Sequence, residues 1–393
     1  MTTTAAQSVR PDDYLALDTL LTDEERLIRE SVRAFVRDQV LPDIGDWFEE
    51  ARMPLELAAE LGRLGVLGMH LDGYGCAGAS ATAYGLACLE LEAGDSGIRS
   101  LVSVQGSLAM YAIHRWGSEE QKQEWLPRMA AGEAIGCFGL TEPDAGSDPG
   151  AMRTRARRDG SDWILHGQKM WITNGSVAEV AVVWAHTDHG VRGFLVPKGT
   201  PGFSTQDIHG KLSLRASITS ELLLDDVRLP AHAVLPEATS LRGPLSCLNE
   251  ARYGIVWGAV GAARACFDAA REYSLEREQF GRPIASFQIQ QQKLAMMALE
   301  VNRGTLLAFH LGRLKDSGAL QPEHVSLGKL ANVNAALDVA RNARQVLGAN
   351  GVTLEYPVIR HMNNLESVVT YEGTADVHAL VVGGAVTGIQ AFR

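Results

Sequence analysis

Cysteine is scarce in this 393-residue chain: five residues, at positions 76, 88, 137, 247 and 266, none spaced as C-x-x-C. That pattern argues against a zinc knuckle and a dithiol redox pair, and an odd, scattered count reads as reduced thiols in a cytoplasmic protein. No run of 18 uninterrupted apolar residues occurs, so no membrane span is expected. The opening, MTTTAAQSVRPDDYLALD, has no apolar stretch of a secretory signal, and the ending AFR matches no lipidation or peroxisomal signal. Basic charge is in deficit: 36 Lys and Arg stand against 47 Asp and Glu, a net charge of −11. A nucleic-acid partner, which needs a basic footprint, is not expected.

Common catalytic signatures are missing as well. There is no H-E-x-x-H, no G-x-S-x-G and no P-loop. Gly73, Gly75 and Gly78 fit G-x-G-x-x-G by count, but they follow a helical stretch rather than a strand and read as a glycine loop. His186 and His189 fall in a Thr-Asp-His-Gly turn, and the other histidines do not cluster at ligand spacing, so no metal site is expected.

What is present is a globular composition, 46% hydrophobic and 21% charged, with ample material for a core. The length suits about two to four domains. The first third reads as helical. Thr22 with Glu25, and Ser118 with Gln121, form capping boxes, and Ile28, Val32, Phe35 and Val36 recur at helical spacing before Pro42. From Gly136 to Pro236 that period fades into short β-rich runs: 163–165, 180–184, 193–196 and 222–229. Short strands between turn residues suggest an antiparallel barrel or sandwich. The last third is helical again, with Leu327, Leu330, Val333, Leu337 and Ala340 three or four apart and Gly348 and Gly351 ending the pattern. The expected division is an extension over 1–20, a helical domain over 21–135, a β domain over 136–245 and a helical domain over 246–393.

Three segments can carry chemistry. Phe138-Gly139-Leu140-Thr141-Glu142-Pro143-Asp144-Ala145-Gly146-Ser147-Asp148 packs small and hydroxyl residues around exposed backbone, as a helix-to-strand turn or as a seat for a flat or phosphorylated ligand. Trp171-Ile172-Thr173-Asn174-Gly175 is a strand end entering a turn, either a bare hairpin or an aromatic cover for an isoalloxazine ring. Thr370-Tyr371-Glu372-Gly373-Thr374 sets a carboxylate between an aromatic and a glycine, before a helix that Thr374 can cap. Desolvation there would make Glu372 a usable base near neutral pH; the plainer alternative is a capping turn with a solvated Glu.

In this order, F-G-L-T-E-P at 138–143, W-I-T at 171–173, R-E-Q-F-G at 277–281, Q-V-L-G-A-N-G at 345–351 and Y-E-G-T at 371–374 resemble the acyl-CoA dehydrogenase family, from about residue 20 to the end. The resemblance implies an α+β multidomain fold: an N-terminal helical domain, a central antiparallel β-barrel and a C-terminal four-helix bundle, assembled as a homotetramer. It implies FAD between the β domain and the bundle. Phe138, Leu140, Thr141, Gly146, Ser147, Trp171, Ile172, Thr173 and Thr374 would line it from one subunit. Arg277, Gln288, Gln345, Leu347 and Gly348 would reach it from a neighbour, where Arg277 suits paired phosphate oxygens. Phe280, Asp376 and Phe392 complete the expected set.

Within the family, the subgroup acting on glutaryl-CoA fits best, through D-S-G-I-R-S-L-V-S at 95–103, C-L-N-E-A-R-Y-G at 247–254 and T-G-I-Q-A-F at the end. Arg99 and Ser103 lie four apart, on one face of a helix. The resemblance sets them against the distal carboxylate of the acyl chain; the alternative is an Arg that snorkels outward or pairs with Glu92 or Asp95. It places Glu92, Ser147, Leu245, Asn249, Arg252, Tyr371 and Gly373 about the substrate and makes Glu372 the base. Position 251, where some members carry the base, is Ala. Glu372 would take the α-proton while hydride leaves to the flavin, with the Glu372 N–H and a ribityl hydroxyl polarising the thioester carbonyl. Loss of CO2 would then give crotonyl-CoA, with an electron-transfer flavoprotein as acceptor. Two departures stand out: Gly348-Ala349 in place of a double glycine, and Glu250 near an acidic substrate. The rival readings are a dehydrogenase of another short or branched acyl-CoA, a non-decarboxylating glutaryl-CoA enzyme, an oxidase on the same fold, and a non-catalytic acyl-CoA-binding protein.

Overall fold

The computed structural model describes residues 9–11 and 13–391; Phe392 and the first part of the 1–20 extension lie outside the described residues. The first seven helices are α1 (Asp23–Phe35), α2 (Ile44–Glu49), α3 (Leu57–Arg63), α4 (Ala81–Gly94), α5 (Ser96–Ser103), α6 (Tyr111–Trp116) and α7 (Glu119–Ala130). Both capping boxes form: Thr22 opens α1 and Ser118 opens α7. A π-helical stretch, Val104–Met110, joins α5 to α6.

The middle segment carries β1 (Gly136–Gly139), β2 (Arg155–Asp159), β3 (Asp162–Thr173), β4 (Val180–Thr187), β5 (Gly190–Pro197), β6 (Phe203–Asp207) and β7 (Thr219–Leu229). They form one seven-stranded sheet, and here the expected antiparallel barrel is corrected. Pairing runs β1-β4-β2-β3-β7-β6, with β5 on the outer side of β4. β5 and β6 do not pair with each other, so the sheet curls into a half-barrel without closing. It is also mixed, since β4 runs parallel to β1 and β2. The open inner face is covered by other elements: Val180, Val182 and Leu195 share a core with Ala109, Ile113 and Leu126 of the first helical segment.

The C-terminal segment has three long helices, α8 (Arg242–Glu276), α9 (Gln288–Asp316) and α10 (Pro322–Leu347), and two shorter ones, α11 (Val358–Val368) and α12 (Ala375–Thr387). A small hairpin, Glu278–Gln279 with Arg282–Pro283, links α8 to α9. The buried stripe of α10 runs through Val325, Lys329, Asn332, Val333, Ala336 and Ala340, while Leu327 is exposed. α8 is shared between cores: Tyr253, Val256 and Trp257 pack with α4, and Ile255, Ala259 and Ala262 pack inside the bundle. One long helix thereby fixes the first segment against the last, and the candidate site lies at that junction.

All five cysteines are free. Burial pushes the thiols of Cys88, Cys137 and Cys266 up to about 12, and that of the half-buried Cys76 to about 11. No helix among the described residues is long and apolar enough to cross a membrane.

Candidate active site

The turn between α11 and α12 carries Tyr371, Glu372 and Gly373. Glu372 and Gly373 both adopt left-handed backbone, φ 52° and 94°. A Cβ on Gly373 would sit 2.8 Å from His378 Nε2, so only glycine fits. Thr374 Oγ1 accepts from Val377 N at 3.2 Å and caps α12. Glu372 Oε2 is buried with no hydrogen-bond partner. Burial raises its pKa above the ordinary carboxylate range, against the pull of Arg99, Lys329 and Arg252. A carboxylate held this way binds a proton more tightly than a free glutamate, which suits a general base.

Glu92, near the end of α4, and Arg99, in α5, are completely buried. Arg99 Nε donates to Glu92 Oε2 at 2.6 Å, and its Nη2 donates to the Tyr371 hydroxyl. Ser96 Oγ donates to the other Glu92 oxygen at 2.8 Å. The approach is close because α8 presents Gly258 here: a Cβ would lie 1.9 Å from Glu92 Oε2. Burial works against the Arg99 charge, but Glu92, Tyr371 and Glu372 outweigh it and hold the guanidinium protonated. Two buried polar atoms of this helix have no partner, Arg99 Nη1 and Ser103 Oγ one turn further on. Of the alternatives for Arg99 the structure shows the pairing with Glu92, and Nη1 is left without a partner.

Leu245, Asn249 and Arg252 fall on one face of α8 by their spacing. Arg252 Nε donates to the Glu372 carbonyl at 2.7 Å, and its Nη1 reaches Asn249 Oδ1 at 3.3 Å. Ala251 is fully buried. Glu250 turns away, and its carboxylate is taken up by Lys315 Nζ at 2.8 Å. Its charge is therefore balanced, which answers the question position 250 raised.

The expected flavin residues fall into two groups. Lys169 Nζ donates to Leu140 O at 3.1 Å and to Glu142 Oε1 at 2.8 Å, and Met170 N donates to Thr141 O at 2.9 Å. These bonds draw the 140–142 loop onto the end of β3. Trp171, at φ 64°, stands 55% exposed there, with the half-buried Thr173 two residues on and the half-buried Thr141 brought close by its bond from Met170 N. A bare aromatic face beside hydroxyl groups fits a flavin ring. The side chains of Phe138, Leu140 and Ile172 face the core, so any contact they make with a cofactor is through backbone. Gly146 and Ser147 are exposed, as is Asp376 in the first turn of α12.

Arg277, Phe280, Gln288, Gln345 and Gly348 gather at one end of the bundle and are exposed, Phe280 at 94%. Lys293 Nζ to Gln345 Oε1, 3.0 Å, and Asn350 Nδ2 to Tyr273 Oη, 3.2 Å, tie that end together. Leu347 is buried in the bundle core. No hydrogen bond joins this group to the Phe138–Thr173 group among the described residues.

Sequence reading missed Lys329 and His378, both buried against the Tyr371–Gly373 turn. The available signal was a lysine at i+4 from Val325 and i−4 from Val333 on an apolar stripe.

Models of the acyl-CoA dehydrogenase N-terminal, middle and C-terminal domains match residues 22–133, 137–227 and 242–387. The crystal structure of glutaryl-CoA dehydrogenase from Mycobacterium smegmatis is 66% identical, with a TM-score of 0.96 over 98% of this chain and 99% of that one. A second Mycobacterium smegmatis glutaryl-CoA dehydrogenase, in complex with FADH2, is 62% identical at TM-score 0.97, covering 98% and 100%. The short-chain-specific acyl-CoA dehydrogenase of Clostridium acetobutylicum is 36% identical over 94% of this chain and 100% of its own length. Fold and site thus define a flavin-dependent oxidoreductase of acyl thioesters. The chain belongs to the acyl-CoA dehydrogenase family.

Proposed function

We propose that the protein oxidises the α,β carbon–carbon bond of glutaryl-CoA and releases CO2, giving crotonyl-CoA. The observation that carries this reading is the unpartnered Arg99 Nη1 and Ser103 Oγ, two buried donors one turn apart. Around them Arg99, Arg252 and Lys329 face only Glu92 and Glu372. A dicarboxylic acyl chain brings the missing negative charge, which a butyryl chain does not.

Glu372 is the base. Its desolvated carboxylate takes the α-proton, and its N–H steadies the developing enolate oxygen. FAD, when bound on the Trp171 face, supplies the hydride acceptor for the β-hydrogen. With the β-hydrogen gone, the γ-carboxylate of glutaconyl-CoA leaves as CO2 because the dienolate delocalises into the thioester. Protonated Glu372 returns its proton to give crotonyl-CoA. Arg99, paired with Glu92, holds the distal carboxylate until it leaves.

The same reading takes in the division 21–135, 136–245 and 246–393, a cytoplasmic location, an electron-transfer flavoprotein as acceptor and a homotetramer. Exposed Phe280, Ile289, Met296, Leu299, Val386 and Ile389 supply apolar surface for subunit contact, and the bundle-end group around Arg277 would then meet a neighbour's flavin.

Anaerobic mixing tests the reading. Glutaryl-CoA is expected to bleach the yellow holoenzyme and release CO2, with butyryl-CoA much slower. Glu372→Gln should keep the colour and lose about 10²–10⁴-fold in bleaching rate. Equal bleaching by butyryl-CoA, or accumulation of glutaconyl-CoA without CO2, would count against it.

A further inference from the structure

Lys329 takes no part in the proton, hydride or CO2 steps above, yet it lies directly beneath the turn that carries the base. It is 2% exposed on α10. Its ammonium donates to the carbonyl oxygens of Tyr371 and of Gly373, the latter at 2.6 Å. Arg252 Nε holds the carbonyl between them, that of Glu372. Three consecutive peptide groups are therefore gripped through their oxygens.

A trans peptide is planar, with its C=O and N–H pointing in opposite directions, and the described residues contain no cis bond. The bond from Lys329 to the Tyr371 carbonyl thus turns the Glu372 N–H away from α10. That N–H makes no hydrogen bond among the described residues. Glu372 also sits in left-handed backbone, a conformation that surrounding contacts must impose on a residue with a side chain.

We infer that Lys329 is a positioning residue: by holding the Tyr371 carbonyl it aims the Glu372 N–H at the carbonyl oxygen of a bound thioester. The inference rests on the reading of the Glu372 turn given above. The groups facing Lys329 are Glu372, Tyr371, Arg252, Arg99 and the His378 ring. Burial draws the Lys329 pKa down to about 7. A neutral amine still has two N–H bonds, one for each carbonyl, so the grip survives deprotonation.

The test compares how tightly the holoenzyme binds crotonyl-CoA and its thioether analogue, which lacks the carbonyl oxygen, read from the flavin spectrum. The unmodified protein is expected to favour the thioester by about tenfold or more, the worth of one charge-stabilising donor. In Lys329→Met that ratio should fall toward one, with FAD content unchanged and flavin reduction by glutaryl-CoA slowed about a hundredfold. Glu372→Gln keeps the N–H, so it should keep the ratio while bleaching slows about 10²–10⁴-fold. If Lys329→Met is not recovered with FAD, Lys329→Gln, whose amide ends one bond short of both carbonyls, carries the same expectation. An unchanged ratio in the recovered variant, or a ratio near one in the unmodified protein, overturns the role of Lys329. Bleaching by Glu372→Gln at the rate of the unmodified protein would instead overturn the base assignment.

Discussion

Arg99 Nε on Glu92 Oε2 and Arg252 Nε on the Glu372 carbonyl fix the side chains around the base, each through a single hydrogen bond of 2.6 or 2.7 Å. Glu372 could be named from its own stretch, a carboxylate between an aromatic and a glycine, whereas Arg99 and Arg252 were expected at the site only through the family resemblance. Lys329 could not be named, because a lysine on a helix ordinarily keeps its ammonium in water. Only the fold shows that two backbone carbonyls replace that water. The pairing of Arg99 was half legible: the sequence offered a ligand, the surface, Glu92 or Asp95, and the fold selects Glu92 while leaving Nη1 without a partner. That arrangement depends on an atom that is not there. In Gly258→Ala the new methyl would press on Glu92 Oε2. Glu92 must move, and Arg99 with it. Overpacking of this kind costs about 1–3 kcal/mol. The expected outcome is a lower melting temperature together with a loss of discrimination between glutaryl-CoA and butyryl-CoA, measured on the same preparation.

Elements were read well where the signal was local. The capping boxes at Thr22 and Ser118 and the Thr374 cap lie within three residues of the bonds they make, and the strand runs at 163–165 and 180–184 show in residue type alone. The sheet's closure was misread because strand pairing is set by distant partners: β1 joins β4 in parallel across some forty intervening residues. β1, β2 and β6, at four or five residues each, were too short to show a period. The joint between α4 and α5 was equally invisible. Asp95 accepts from Gly97 N at 2.6 Å and, through its other oxygen, from Arg360 Nη1 at 2.5 Å and Asn364 Nδ2 at 2.8 Å. Asn364 Oδ1 in turn accepts from Leu214 N at 2.7 Å. All three segments of the chain meet on α11, just before the Glu372 turn. Asp95→Asn would leave the buried Arg360 charge uncompensated, at a cost of about 3–5 kcal/mol. Chemical denaturation should show that loss, and the surviving enzyme should turn over more slowly.

For the whole molecule, acid stability has an identifiable anchor. Glu90 is 1% exposed and clasped by Arg264 at 2.6 Å and Arg33 at 2.9 Å. Burial works to raise its pKa, but the two guanidiniums outweigh it and hold the carboxyl at about 2. A depressed folded-state pKa gives stability that is present above the ordinary glutamate value and drains away as pH falls toward about 2. Between pH 5 and pH 3 the unmodified protein should lose stability more steeply than Glu90→Gln, with roughly 2–3 kcal/mol at stake across the full range. Unfolding curves at the two pH values would show the difference in slope. The thiols bear on durability. Sulfur is attacked as the thiolate, and at neutral pH thiols poised near 11 or 12 offer almost none. Concealment thus shields these sulfurs from oxidants without any crosslink among them.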